Sequence, residues 1–214
     1  MIAIKNRDRR LTLSDLAERF GPVPFGRIVN DPVPGTATEK DVLALLREDR
    51  LCELVDGVLV EKTMGYEESA LAVRIAAILD AFVKARRLGV VAGADGLLRL
   101  AKGLVRIPDV SFVNRSRLPR GRPRRPIPKL APNLAVEVLS EGNTDQEMAR
   151  KLREYFDSGV EIVWIFDPPV RTVRVYTSLH RSRVLNESQT LTGGAVLPGF
   201  RVRLAEIFSV LDEF

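Results

Sequence analysis

The chain has 214 residues and a mass of 23.8 kDa, is 45% hydrophobic and 29% charged, and carries a formal net charge of +5; this is the composition of a folded domain with a real core, not of a disordered segment. Its longest apolar stretch, residues 71–83, is broken by Arg74 and Asp80, and a membrane span needs roughly 20 apolar residues. One cysteine, Cys52, and one histidine, His180, leave no internal disulfide, no CxxC site and no His-rich zinc centre.

The opening residues, MIAIKNRDRRLTLSDL, have charges but no apolar h-region, so no secretory signal is read and the expected compartment is the cytoplasm. Residues 12–20 are predicted to form a short helix, with Thr12 and Asp15 at capping-box spacing and Gly21 as the stop. A Pro- and Gly-rich connector follows, and Thr38 opens a second helix. Residues 1–50 therefore read as an N-terminal helical extension, and 51–214 as the main domain. That domain opens on a hairpin turning at Asp56-Gly57. A long helix is expected over 66–88, with Leu71, Ile75, Ile78, Leu79 and Phe82 as its buried stripe and Gly89 ending it. Strands are expected at 89–92, 96–101, 107–113 and 134–139. Thr144 and Glu147 have capping-box spacing for a helix running to about Ser158. Strands at 161–166 and 172–177 follow, and the tail adds short strands and a last helical turn. The expected fold is α/β (α+β): a mixed sheet with two main helices.

The positive charge is concentrated in one place. Residues 115–129, RSRLPRGRPRRPIPK, hold Arg115, Arg117, Arg120, Arg122, Arg124, Arg125 and Lys129 with no acid; taking these seven cations from +5 leaves −2 for the rest of the chain. The prolines rule out a helix or a central strand, so this is an expected exposed loop. It reads either as an arm for phosphate backbones or as a solvated basic loop.

No GxSxG, GxxxxGK[ST] or GxGxxG occurs, so serine hydrolysis, P-loop chemistry and dinucleotide binding lack their motifs. Carboxylates, lysine, tyrosine and a hard metal ion remain. In LAVEVL, Glu137 is mid-strand in a run that reads as buried, on the face opposite Leu134, Val136 and Val138. A buried carboxylate needs a partner. Asp109 follows Pro108 into another strand, and neighbouring strands can set it beside Glu137. Two such carboxylates repel unless a cation lies between them, and oxygen ligands suit Mg²⁺ or Mn²⁺. Lys151 flanks the Met148, Leu152, Tyr155 and Phe156 stripe of its helix and is expected to lean toward the sheet, with Glu147, Arg150, Arg153 and Glu154 pointing outward. There it can orient or help deprotonate a water. Each residue has a plainer alternative: Asp109 as a turn residue, Glu137 paired with a buried Arg or Lys, Lys151 bonded to Glu147, and Tyr155 as core.

Taken together, Glu53-Leu54-Val55-Asp56-Gly57, Pro108-Asp109-Val110-Ser111, Val136-Glu137-Val138-Leu139-Ser140, residues 151–155 and Val163-Trp164-Ile165-Phe166-Asp167-Pro168 resemble the Uma2 family, grouped with restriction endonucleases in the PD-(D/E)XK nuclease superfamily. The resemblance implies a restriction-endonuclease-like sheet flanked by helices, Mg²⁺ (or Mn²⁺) held by Asp109 and Glu137, and hydrolysis of DNA phosphodiesters. The superfamily's E-x-K would put lysine at 139, where this chain has Leu139; Lys151 is the candidate for a migrated lysine. A glutamate from the first helix often joins the site, and Glu68 fits that place, with a first-turn Glu favoured by the helix dipole as its plainer reading. Glu53 is a second candidate, with a cross-strand salt bridge as its alternative. The expected activity is a metal-dependent endonuclease. The rivals are a nucleic-acid-binding protein that kept the fold without turnover, and an interaction module whose acidic pocket is a structural ion pair. DNA is the expected partner, a homodimer the expected assembly for cutting two strands, and no membrane is involved.

Overall fold

The computed structural model describes residues 11–118, 121 and 124–212. The first helix, α1 (Leu13–Phe20), starts at Thr12 in the expected capping box with Asp15. The second, α2 (Glu39–Leu46), starts at Thr38 in a capping box with Asp41. Next come β1 (Cys52–Val55) and β2 (Val58–Glu61). They are joined by a two-residue turn in which Asp56 and Gly57 both have positive φ, the geometry that twists with the strands. Gly57 is required twice over: a Cβ there would also overlap the Gly35 carbonyl, whose own N–H donates to the Gly57 oxygen.

The long helix α3 (Tyr66–Arg86) carries Leu71, Ile75 and Leu79 of the predicted stripe fully inward, with Ile78 and Phe82 only partly buried at its edge. It ends earlier than expected, at Arg87 in the left-handed conformation. Gly89 is instead the first residue of β3 (Gly89–Ala92), where a Cβ would overlap the Val113 carbonyl of the neighbouring strand. After β4 (Leu98–Ala101) comes β5 (Leu104–Arg106), a three-residue strand the sequence did not announce. The strand expected over 107–113 starts only at Val110, as β6 (Val110–Asn114). Residues 107–109 are the crossing between two sheets, because Pro108 has no N–H for a ladder. The remaining elements are β7 (Leu134–Val138), α4 (Asp145–Asp157), β8 (Ile162–Asp167), β9 (Thr172–Ser178), β10 (Arg181–Asn186), β11 (Thr190–Gly193), β12 (Leu197–Arg203) and α5 (Leu204–Phe208).

The mixed sheet expected is present, and a second sheet stands beside it. The large one has six strands in the order β10-β9-β8-β7-β6-β3, with β7 and β8 parallel and every other pair antiparallel. The small one is antiparallel in the order β2-β1-β5-β4, and β11 pairs with β12 separately. α3 covers one face of the large sheet, packing Leu71, Ile75, Leu79 and Val83 against Phe112, Leu134, Val136, Trp164 and Phe166. α4 lies on the other face, over the seam between the sheets: Met148, Leu152 and Tyr155 touch a cluster containing both Val163 of β8 and Leu98 of β4. Residues on either side of position 50 share cores. Val42 and Leu45 of α2 pack with Leu54 and Val105, and Leu16 and Phe20 of α1 with Val55, Val58 and Val60.

Candidate active site

The seam is where the polar residues gather. Val110 pairs with Val136 in the β6–β7 ladder, so the next position along sets Asp109 beside Glu137. Asp109 Oδ2 accepts the Val138 N–H at 2.6 Å, which ties it to the strand that carries Glu137. Both carboxylates are buried.

Each has a cation of its own. Lys151 Nζ donates to Glu137 Oε2 at 2.9 Å and lies 3.6 Å from Glu53 Oε2. The Tyr155 hydroxyl, one turn further along α4, donates to Glu137 Oε1. Lys62 Nζ meets Asp109 Oδ1 at 2.8 Å. Glu53 pairs with Arg106 at 2.5 Å across β1 and β5, and its Oε1 accepts the Ile107 N–H at 3.0 Å. The Arg106 guanidinium also binds Glu154. So Lys151 does lean toward the sheet, and Glu53 makes the cross-strand pair that is its simpler reading. Three residues expected to point outward are engaged instead: Arg150 donates to Glu154, to Asp56 and to the Arg19 carbonyl. Glu154 takes Arg106, and Glu147, rather than closing a capping box, takes the Arg27 guanidinium in two hydrogen bonds. Local spacing cannot foresee a cation arriving from 120 residues away.

The charges are unequal in firmness. Burial works against the Lys151 ammonium, yet Glu137 and Glu53 outweigh it and raise its pKa. Glu137 is raised by burial, with Asp109 and Glu53 adding to this against Lys151. Lys151 sees two acids, whereas Glu137 sees two like charges, so the ammonium is the firmer of the pair. Burial also pushes Glu53 up, but Lys151, Arg106 and the Ile107 N–H overcome it and hold Glu53 down at about 2. Burial and Glu137 push the Tyr155 phenol well above its usual range, so it stays a donor. Lys151 is therefore held as an ammonium beside Glu137 and Glu53 and supplies positive charge to the cluster.

The donor chemistry of Asp109 and Glu137 fits Mg²⁺ or Mn²⁺: hard carboxylate oxygens, side by side, with a third carboxylate from Glu53 near. In this structure those oxygens are satisfied by ammonium, phenol and backbone N–H groups, and among the described residues no group of three His, Cys, Asp or Glu side chains is arranged as a metal cage.

Glu68 stands outside this network. Its carboxylate lies against Gly65 at the start of α3 and lines a cleft of about 350 Å³ with Thr63, Ser140 and Glu141. Of the basic segment, Arg115, Arg124, Arg125 and Lys129 are exposed. Arg117 is engaged: it donates to the carbonyls of Ala131, Pro132 and Gly159 and to Glu161. Arg120 and Arg122 lie outside the described residues. The end of the segment is anchored, since Lys129 bridges to Arg99 of β4.

The sequence reading missed Lys62, Arg106 and Arg27. A signal existed for the first two. Glu53, Lys62 and Arg106 fall on the same face of the small sheet as Val55, Val58 and Val60, so the alternation there marks three inward charges. Arg27 sits in the Pro- and Gly-rich connector, where no periodicity announces burial.

No helix among the described residues is long and apolar enough to cross a membrane. The fold is shared with a crystal structure described as a "putative nuclease belonging to DUF820" from Anabaena variabilis. The likeness has a TM-score of 0.69 at 20% identity, over 76% of this chain and 92% of that one. No curated protein matches the sequence. The family description "Uma2: Putative restriction endonuclease" matches residues 40–205, which covers both main sheets and the whole seam cluster, and the chain belongs to the Uma2 family.

Proposed function

We propose that this protein is a metal-dependent endonuclease acting on DNA phosphodiesters, with Asp109, Glu137 and Lys151 at its reacting centre. The observation that carries the reading is the juxtaposition of Asp109 and Glu137 on neighbouring strands, with the Lys151 ammonium fixed on Glu137. The family description and the nuclease-like fold support it.

Asp109 and Glu137 would hold Mg²⁺ or Mn²⁺; when bound, such an ion polarises a phosphate and lowers the pKa of a coordinated water. The protein's own residues prepare the rest. Tyr155 fixes one oxygen of Glu137, and Glu53 with Arg106 fixes the Ile107 peptide two residues before Asp109. Lys151, held as an ammonium, offers charge to a phosphate in the transition state. Glu68 gives the adjoining cleft a carboxylate wall. Arg115, Arg124, Arg125 and Lys129 supply exposed cations for the backbone, which position a duplex without reading its sequence. A symmetric homodimer would present two centres to two strands.

A second reading is a protein of this fold that binds nucleic acid without cutting it. The complete pairing of the buried carboxylates with lysine, arginine and tyrosine favours it. Incubation of supercoiled plasmid and of single-stranded RNA with Mg²⁺ or Mn²⁺ separates the two. Cleavage of DNA by wild type, lost in Asp109→Ala, is expected. Salt-sensitive binding without cleavage of either substrate would give the second reading.

A further inference from the structure

Lys62 is the one cation of the seam cluster that leans on a single acid. Its Nζ lies 2.8 Å from Asp109 Oδ1, and it donates to the backbone carbonyls of Ile107 at 2.8 Å and Ala94 at 3.3 Å. The ammonium is thus surrounded by three oxygens, two carbonyls that accept its hydrogen bonds and one carboxylate oxygen in an ion pair, in a pocket where the lysine and aspartate side chains are 8% and 4% exposed. Two carbonyls and a carboxylate are also the ligand types that a hard divalent cation takes. The ammonium stands in an oxygen site of the kind a metal would use, on one of the two carboxylates proposed to hold that metal.

Charge balance decides what must happen when a divalent ion arrives. Three buried carboxylates, Glu53, Asp109 and Glu137, already face the buried Arg106 and Lys151 and the nearly covered Lys62 side chain, with Glu154 as a further acid on Arg106. An added ion with two charges leaves the cluster positive unless a cation withdraws. Arg106 is held by Glu53 and Glu154, and Lys151 by Glu137 with Glu53 close by. Lys62 has one acid within ion-pair distance, so of the three cations it gives up the fewest acid contacts on leaving. Its main chain is pinned, because the Lys62 N–H donates to the Leu51 carbonyl at 2.8 Å, so only the side chain can leave. The cleft lined by Thr63 and Met64, which follow Lys62 in the chain, is also lined by Glu68 and Glu141, two acids toward which the freed side chain would turn.

We propose that Lys62 is a built-in competitor for the metal: its ammonium occupies the cation place at Asp109, and a divalent ion binds only by displacing it. This rests on the reading of Asp109 and Glu137 as metal ligands. It makes Lys62 a device that keeps the centre closed at low metal concentration.

The test is Mn²⁺ binding by calorimetry and by electron paramagnetic resonance, with no nucleic acid present. Wild type, Lys62→Met, Lys62→Gln and the double variant Lys62→Met/Asp109→Asn are compared, each checked for folding by circular dichroism. Methionine keeps the stem without the charge; glutamine keeps an amide donor for the carbonyls should methionine not fold. The expected result is affinity at least about tenfold tighter in the single variants, lost again in the double variant. Affinity equal to or weaker than wild type in the single variants overturns the competitor role while leaving the metal reading standing. No Mn²⁺ binding by any folded form overturns both. Should neither substitution fold, the slowly exchanging ¹⁵Nζ signal of Lys62 in wild type takes their place. Loss of its protection as Mg²⁺ is added supports displacement, and an unchanged signal overturns it.

Discussion

Arg27 and Glu147, 120 residues apart in the chain, meet in a buried two-pronged ion pair with hydrogen bonds of 3.0 and 2.9 Å. The same guanidinium donates to the carbonyls of Glu61 and Gly142. One side chain from the N-terminal connector thereby joins the end of β2, the turn after β7 and the first turn of α4, the three pieces around the seam. Burial pushes the Glu147 carboxyl up, but the Arg27 hydrogen bonds, Lys151 and the Arg27 charge together hold it below its usual value. Removing one partner of such a pair strands the other. Arg27→Ala is expected to cost about 3–5 kcal/mol in urea denaturation. An unchanged midpoint would show that the connector contributes nothing to the fold.

Tyr155 serves two purposes at once. Its ring belongs to the α4 core and its hydroxyl holds Glu137. Tyr155→Phe keeps the ring and deletes the donor. The expected loss is about 1–3 kcal/mol, because a buried carboxylate is left one hydrogen bond short. A residue that was only core would tolerate the change, and a neutral result in denaturation would mean that.

Much of this arrangement is legible in the sequence, and the reasons are physical. The α3 stripe repeats over enough turns to fix its buried face, and the alternation in LAVEVL alone puts Glu137 on the opposite face from Val136 and Val138. Thr144 as a cap is a local hydrogen bond, and local rules find it. What escapes is non-local. β5 is three residues long and carries no pattern, so the break between sheets at Pro108 reads as one continuous strand. Lys62 directly follows β2, where a lysine ordinarily reads as the strand's solvated exit. Glu147 has capping spacing to Thr144, but a guanidinium offers two charge-assisted bonds where the cap offers one backbone N–H.

The basic segment divides by what its arginines touch. Arg124 and Arg125 are exposed, whereas Arg117 closes carbonyls of residues 131, 132 and 159. Neutralising Arg124 and Arg125 together is expected to lower the slope of log affinity against log salt for DNA by about 1–2, at about 0.9 for each phosphate no longer neutralised. Arg117→Gln is expected to leave that slope in place and to reduce stability by about 1 kcal/mol. Filter binding over a salt series, with thermal melts of the same variants, reads both. Equal slopes in all variants would remove the segment from the interface.

Glu53 makes acid stability a direct probe of the seam. Its folded pKa of about 2 lies below its ordinary value of 4.5. The ionised carboxylate therefore stabilises the folded state fully above about pH 4.5, and that contribution is lost as the pH falls toward 2. A depression of this size corresponds to about 3 kcal/mol. Glu53→Gln removes the titration and leaves Arg106 short of its nearer acid, with Glu154 still bound. The variant is expected to be less stable at neutral pH by about 3 kcal/mol, and to lose less than wild type on acidification from pH 5 to pH 2, because the gap between the two closes as Glu53 protonates. Urea denaturation at a series of pH values measures both. Parallel stability curves for the two proteins would mean that Glu53 is not the buried anion that pins Arg106 and the Ile107 peptide, and the placement of Asp109 would then need another support.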